Sequence, residues 1–231
     1  MNKIMVLIPS YNPCDNLIDY VQKLYENGFE KIIIVDDGSK EKTIFNKLKE
    51  LEYCVVLTHQ INLGKGAALK TGFRYYIRNL SDNYNGLITL DDDFQHTIED
   101  SIKLTNFYNE NSLITGVRNF NLKSVPFKSK MGNKITSSMF NLFYHKKIKD
   151  TQCGLRLYPN KLIKQLCFLD GNNFDFETNV LIYCIKNNID IVEISIDTVY
   201  IEKNKLSRFK SVSDSIKIYK IFFKGRKKTK H

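Results

Sequence analysis

Four short apolar runs, each followed by a segment of helical character, constrain this chain more than any other feature. They are Ile4–Ile8, Lys31–Val35, Cys54–Thr58 and Leu87–Leu90. Continuous apolar runs bounded by turn residues are typical of strands buried on both faces. After the first run, Pro9 and Pro13 bracket a polar loop. A helix to about Asn27 follows, with Asp15 or Asn16 as its cap and Gly28 as its stop. A second helix is expected over residues 41–51, and Gly64-Lys65-Gly66 opens a third that reaches about Arg78. This alternation predicts an α/β fold with a central, mostly parallel sheet flanked by helices.

The second half is less regular. It suggests a helix from Ile98 to Asn109, a strand from Ser112 to Thr115 and an amphipathic helix from Asn133 to His145. An edge strand at Leu155–Tyr158, a helix from Phe176 to Lys186 and an alternating strand within Ile189–Tyr200 follow. No linker divides the chain. Its 231 residues, 42% hydrophobic, suffice for one large domain or two small ones with a real core.

The net charge of +10 is uneven. The segment Lys123–Lys149 is rich in lysine and holds no acid, and the chain ends in a basic cluster, Lys224–His231. Such a field attracts nucleic acid, anionic lipid or a phosphorylated substrate, or is simply a solvated surface. Nucleic acid is not expected as a partner. There is no zinc-finger spacing or RRM-like aromatic signature, and acid-rich strand ends repel a phosphate backbone. No run of eighteen apolar residues exists, and the N-terminus reads as a strand rather than a secretory signal. Five scattered cysteines form no CxxC pair, which fits a reduced, cytoplasmic chain.

Acids gather where strands should end. Asp91-Asp92-Asp93 follows the fourth strand, and ligands of open α/β sheets bind at the C-terminal ends of strands. Adjacent carboxylates repel, so a hard cation is the simplest reason to keep them together. If the chain stays extended, Asp91, Asp93 and Gln95 face one Mg²⁺ or Mn²⁺ ion and Asp92 faces away. The bland alternative is a loop in which Asp93 caps the next helix. His96 reads as polar packing or support behind a ligand. Asp36-Asp37, ahead of Gly38, suit a nucleobase or ribose, or equally a helix cap. Asn62–Gly66 suits an anion or an ordinary tight turn; it lacks the spacing of a P-loop or a dinucleotide fingerprint. Asp175 or Glu177 suits a general base or a capping acid. Cys153 has no histidine nearby and is not expected to be a nucleophile.

Taken in order, these motifs resemble family 2 glycosyltransferases of the GT-A fold, in the dolichyl-phosphate and bacterial polyprenyl-phosphate branch. Pro9-Ser10-Tyr11-Asn12 is similar to the family's nucleotide loop, Val35–Ser39 to its base-binding turn and Asp91–His96 to its DxD region. Asn62–Gly66 and Asp150-Thr151-Gln152-Cys153-Gly154 also match. The resemblance implies a GT-A domain over residues 1–210, with a nucleotide-binding half (1–96) and an acceptor-binding half (97–210) that carries a smaller antiparallel part. Residues 211–231 form an amphipathic basic tail. Pro9, Tyr11, Asn12, Asp36, Asp37, Lys65, Asp91 and Asp92 are the implied nucleotide contacts, with Asp36 at the base. Asp91, Asp93 and Gln95 are the implied ligands of Mg²⁺ or Mn²⁺. Arg118 near the transferring phosphate, Arg208 in a closing loop (Ser207-Arg208-Phe209) and Glu177 complete, with Asp93, the implied catalytic set.

The activity so implied is inverting transfer of a hexose from a UDP- or GDP-linked sugar to a polyprenyl phosphate, or alternatively to a saccharide. A nucleotidyltransferase, a basic nucleic-acid-binding protein and a donor-binding relative without turnover are the rival readings. Asn179 stands where many relatives carry a second acid. A phosphate acceptor, already ionised, tolerates that loss. The basic segments imply a peripheral position on an anionic membrane, at the inner face of the cell membrane.

Overall fold

The computed structural model describes residues 2–120, 122, 125, 127–197, 219, 221 and 222. The elements alternate as β1 (Ile4–Ser10), α1 (Asn16–Glu26), β2 (Ile32–Asp36), α2 (Thr43–Lys49), β3 (Cys54–Thr58), α3 (Lys65–Asn79) and β4 (Gly86–Thr89). The second half adds α4 (Ile98–Thr105), β5 (Ser112–Arg118), α5 (Phe127–Tyr144), β6 (Arg156–Pro159), α6 (Asn160–Leu166), α7 (Asp175–Lys186) and β7 (Asp190–Ile196). One seven-stranded sheet, in the order β3-β2-β1-β4-β6-β5-β7, unites both halves.

Every paired strand runs parallel to its neighbours except β6, which is antiparallel to β4 and β5. The four apolar runs are thus parallel strands, as expected. Leu155–Tyr158 is not an edge strand: β6 lies inside the sheet, and Arg156 sits opposite both Thr89 and Thr115. The edges are β3 and β7. The Arg156 side chain is fully buried inside the sheet because backbone carbonyls take its hydrogen bonds.

The period-2 alternation of β1 sends its side chains to two cores. Met5 and Leu7 join Phe73 and Tyr76 of α3, Leu162 of α6 and Val180 of α7. Ile4, Val6 and Ile8 join Leu17 and Leu24 of α1, Phe45 of α2 and Leu104 of α4. Fully burying each such side chain contributes about 1.5–3 kcal/mol, so the sheet is a stiff middle layer. In-register pairing puts Ser10 beside Asp36 and Leu7 beside Thr89, so the segments after β1, β2 and β4 emerge at one edge. Because β6 runs the other way, the turn that precedes it arrives at that same edge. No helix among the described residues is long and apolar enough to cross a membrane.

Candidate active site

The segment after β4 does not stay extended. It turns, and Phe94 takes φ +59°, in the left-handed region uncommon for an aromatic residue. The turn still brings Asp91, Asp93 and Gln95 to one cleft, and Lys65, His96, Arg118 and Glu177 line the same space. Asp92 points back instead: its carboxylate accepts from the Ser10 hydroxyl (2.7 Å) and the Tyr11 N–H (3.3 Å). Asp93 is not spent on a cap. Thr97 caps α4, its hydroxyl accepting from the Asp100 N–H at 3.0 Å.

The predicted nucleotide residues divide. Lys65 and Asp91 line the cleft; Pro9, Tyr11, Asn12, Asp36, Asp37 and Asp92 are not among its walls. Asp36 is fully buried, accepts from the Ser39 N–H and pairs with Lys42. Asp37 accepts from the backbone N–H groups of Leu63 (2.9 Å) and Gly64 (2.8 Å), and its Oδ1 lies 2.7 Å from Nδ1 of His59. Neither caps α2. Asp37 staples the loop before α3 to the end of β2. That loop's Leu63 and Gly64 N–H groups are therefore committed to Asp37, and Ala67 donates to the Asn172 carbonyl. The glycines serve close packing: a Cβ on Gly66 would press on Phe176 and on the Asn173 carbonyl, and Gly64 holds φ +99°.

Charge in the cleft is dense. Lys65 pairs with Asp91 at 2.6 Å and with Glu177 at 3.1 Å. Burial opposes its charge, but the Asp91 and Glu177 carboxylates outweigh burial and hold the ammonium above its ordinary range. Burial likewise opposes ionisation of Asp91, and Lys65, then His96, hold that carboxyl well below the usual range. Asp93 fares differently. Burial first, then the Asp91 charge, push its carboxyl up. His96 is 4% exposed, its Nε2 lies 3.7 Å from Asp91, and its buried Nδ1 has no hydrogen-bond partner among the described residues.

These residues fit a divalent ion of the hard class. Asp91 and Asp93 bring carboxylate oxygens and Gln95 an amide oxygen, and the carboxylates outnumber the ammonium. They do not form a closed cage: no group of three or more His, Cys, Asp or Glu side chains among the described residues is arranged to hold a metal alone. An ion here needs oxygen atoms from a phosphate or from water, the usual state of Mg²⁺-type sites.

On the far wall, Arg118 forks onto the buried carboxylate of Asp150, Nε at 2.7 Å and Nη2 at 3.0 Å. Burial disfavours that carboxylate, yet Arg118 holds it below the usual range. Arg118 therefore lines the cleft with its charge already matched. Arg156, a residue the sequence reading did not assign to the site, organises the turn between them. It donates to the carbonyls of Cys153 (2.9 Å), Glu177 (2.7 Å) and Thr151 (3.1 Å), tying the 151–153 turn to α7. Gly154 lies so close to Asp91 that a Cβ there would overlap its carboxylate. Gln152, Thr151, Ser129, Phe174 and Thr178 complete the walls and were likewise not singled out individually.

Of the two acids on α7, Asp175 accepts from the Asn173 N–H and Glu177 faces the cleft. Asn179 donates to the Asp170 carbonyl (2.9 Å) and is not among the cleft walls. Cys153 is buried, and burial pushes its thiol up to about 12, so it is not a thiolate. Arg208, with its loop Ser207-Arg208-Phe209, lies outside the described residues, as does most of the 211–231 tail.

The model for glycosyl transferase family 2 matches residues 5–167. A UDP-N-acetylglucosamine–dolichyl-phosphate N-acetylglucosaminyltransferase of Methanococcus voltae is 29% identical over 238 residues, covering 94% of this chain and 93% of that protein. A dolichyl-phosphate beta-glucosyltransferase of Saccharomyces cerevisiae is 26% identical over 245 residues, covering 94% and 72%. Among solved structures, glucosyl-3-phosphoglycerate synthase from Mycobacterium tuberculosis, in complex with Mn²⁺, UDP-glucose and phosphoglyceric acid, superposes with a TM-score of 0.62. It is 13% identical, with 84% of this chain and 70% of that one covered, a likeness of fold.

Proposed function

Because the chain belongs to glycosyl transferase family 2, and is a glycosyltransferase of GT-A fold, we propose that it transfers a hexose from a nucleoside diphosphate sugar to a polyprenyl phosphate. The names of the two relatives support a lipid phosphate acceptor. The carrying observation is that α5, whose Ser129 lines the charged cleft, also bears an exposed apolar stripe. Along α5, Phe127 is 74% exposed, Met131 47%, Ile135 41% and Leu142 72%. These positions are four, four and seven residues apart, one to two turns, and share one side, while Asn133, Thr136 and Phe140 are buried on the other. Lys130 and Lys134 on α5, and Lys146 and Lys147 just after it, are exposed, and Ser129 of the same helix lines the cleft. A polyprenyl chain has apolar surface to rest on while its phosphate enters the cleft.

Asp93, with Asp91 and Gln95, would hold Mg²⁺ or Mn²⁺ against the donor diphosphate, and an ion so bound stabilises charge growing on the leaving nucleoside diphosphate. Asp36, Asp37 and Asp92 keep the tips of β1 and β2 rigid where the nucleoside would lie. Glu177 is ion-paired with Lys65 and is not assigned as a base; an ionised phosphate acceptor needs none. Arg118, matched by Asp150, shapes the phosphate-facing wall. The acceptor oxygen attacks the anomeric carbon opposite the departing diphosphate, with inversion. A thermal-shift screen of UDP- and GDP-sugars, each with and without Mn²⁺, tests donor use. One nucleotide sugar should raise Tm in the presence of Mn²⁺ and not in its absence; no response to any sugar nucleotide counts against the reading.

The same reading makes α5 a membrane contact on an anionic leaflet. Each large apolar side chain buried contributes about 1.5–3 kcal/mol, so the double variant Phe127→Ser, Leu142→Ser should bind anionic vesicles at least about tenfold more weakly. Flotation with that variant unchanged would remove α5 from the contact.

A further inference from the structure

Lys65 opens α3 with its ammonium between two carboxylates, 2.6 Å from Asp91 and 3.1 Å from Glu177, and its side chain is only 15% exposed. The helix start behind it is packed against the 172–176 turn through Gly64 and Gly66, and the Phe174 ring lies 5.6 Å from the ammonium. Its backbone position is thus set by the fold, while the four-carbon stem lets the ammonium move between partners. Asp93, on the neighbouring turn, has no ion-pair partner among the described residues. Three carboxylates and one ammonium leave an excess of negative charge in the cleft. Of the two cleft aspartates, Asp91 is the one the ammonium ion-pairs.

We propose that Lys65 is a resident counter-cation that controls metal uptake: without donor it holds Asp91 back from a divalent ion, and it turns to the donor diphosphate when ion and donor arrive together. The inference rests on the metal-dependent transfer proposed above. Its physical basis is exchange. A cation approaching Asp91 alone must share that carboxylate with an ammonium 2.6 Å away, and like charges oppose the approach. A diphosphate changes the balance, since its anionic oxygens accept from the three-donor ammonium in place of Asp91. The ion and the donor then bind with positive coupling, each strengthening the other.

The test reads metal binding without turnover. Mn²⁺ is titrated into the full chain by electron paramagnetic resonance, alone and with UDP or GDP. The wild type is expected to bind Mn²⁺ at least about tenfold more weakly alone than with the nucleotide it uses. Lys65→Gln should bind Mn²⁺ alone about tenfold more tightly than the wild type, while Lys65→Arg, which keeps the charge, should stay weak. Wild-type binding of Mn²⁺ alone as tight as with nucleotide overturns the proposal, whether or not the variants fold. So does a folded Lys65→Gln with unchanged affinity for Mn²⁺ alone. Failure of the transfer reading has a different signature: neither Mn²⁺ nor nucleoside diphosphate binds to any of the three proteins, and the proposal falls with it.

Discussion

Asp93→Asn is expected to abolish most turnover while making the protein more stable. The two effects share one cause. Asp93 sits beside Asp91 in a largely enclosed cleft, and burial together with that neighbouring charge pushes its carboxyl up. A carboxyl raised in the folded state binds its proton more tightly there than in the unfolded chain. Its penalty on stability is therefore present above the folded pKa and disappears as the pH falls below the ordinary carboxylate range. The amide has the same shape and no charge, so the repulsion is gone at neutral pH. A gain of about 1 kcal/mol raises Tm by about 2–4 °C in a chain of this size. Activity moves the other way, since the amide is a poor ligand for a hard ion. Loss of a principal contact to the charge developing in the transition state is expected to lower kcat by about 10²–10³-fold. Thermal unfolding and transfer rates measured on one preparation separate the alternatives. A fall in Tm with activity intact would make Asp93 a structural acid.

Arg156→Met is expected to produce the largest loss of stability. The guanidinium is fully buried and donates to three carbonyls on two different segments. Methionine fills much of the volume but leaves the Cys153, Glu177 and Thr151 carbonyls without those donors. Each buried group left unpaired costs about 1–3 kcal/mol, so a total of about 3–9 kcal/mol is expected, with Tm lower by about 6 °C or more. Lysine should recover little of this, because a single ammonium cannot span the fork. The damage should extend to catalysis. The 151–154 turn carries Gly154, which packs directly on Asp91, and α7 carries Glu177. A Tm within about 2 °C of the wild type would show that the carbonyls find other partners.

What could be read from the sequence follows the range of the forces involved. β1 to β4 are legible because strands covered on both faces are apolar throughout. β6 was misplaced at an edge because its pairing with β4 joins residues 86–89 to 156–159, a distance along the chain that no local pattern encodes. The seven-residue α6 is too short for periodicity to reveal it. The acid-rich turn after β4 was found for its charge, yet the extended conformation on which the shared facing of its side chains was conditioned does not form: Phe94 at φ +59° marks a turn. The split of roles among neighbouring acids was not legible either. Asp37 is a staple because its partners, His59, Leu63 and Gly64, fold back onto it from the next strand and loop. Asp92 is a brace because Ser10 and Tyr11, at and just past the end of β1, donate to it. Asp91 and Asp93 keep the cleft because nothing on β1 reaches them.

The most direct test is transfer of labelled sugar from the nucleotide sugar selected by thermal shift to dolichyl phosphate in anionic vesicles, with Mn²⁺ present or removed by a chelator. A lipid-linked, phosphatase-resistant product of inverted anomeric configuration, formed with Mn²⁺ and absent after chelation, is the result expected. Label that enters a saccharide acceptor and never the lipid phosphate, or transfer that continues undiminished in the chelator, would contradict the account.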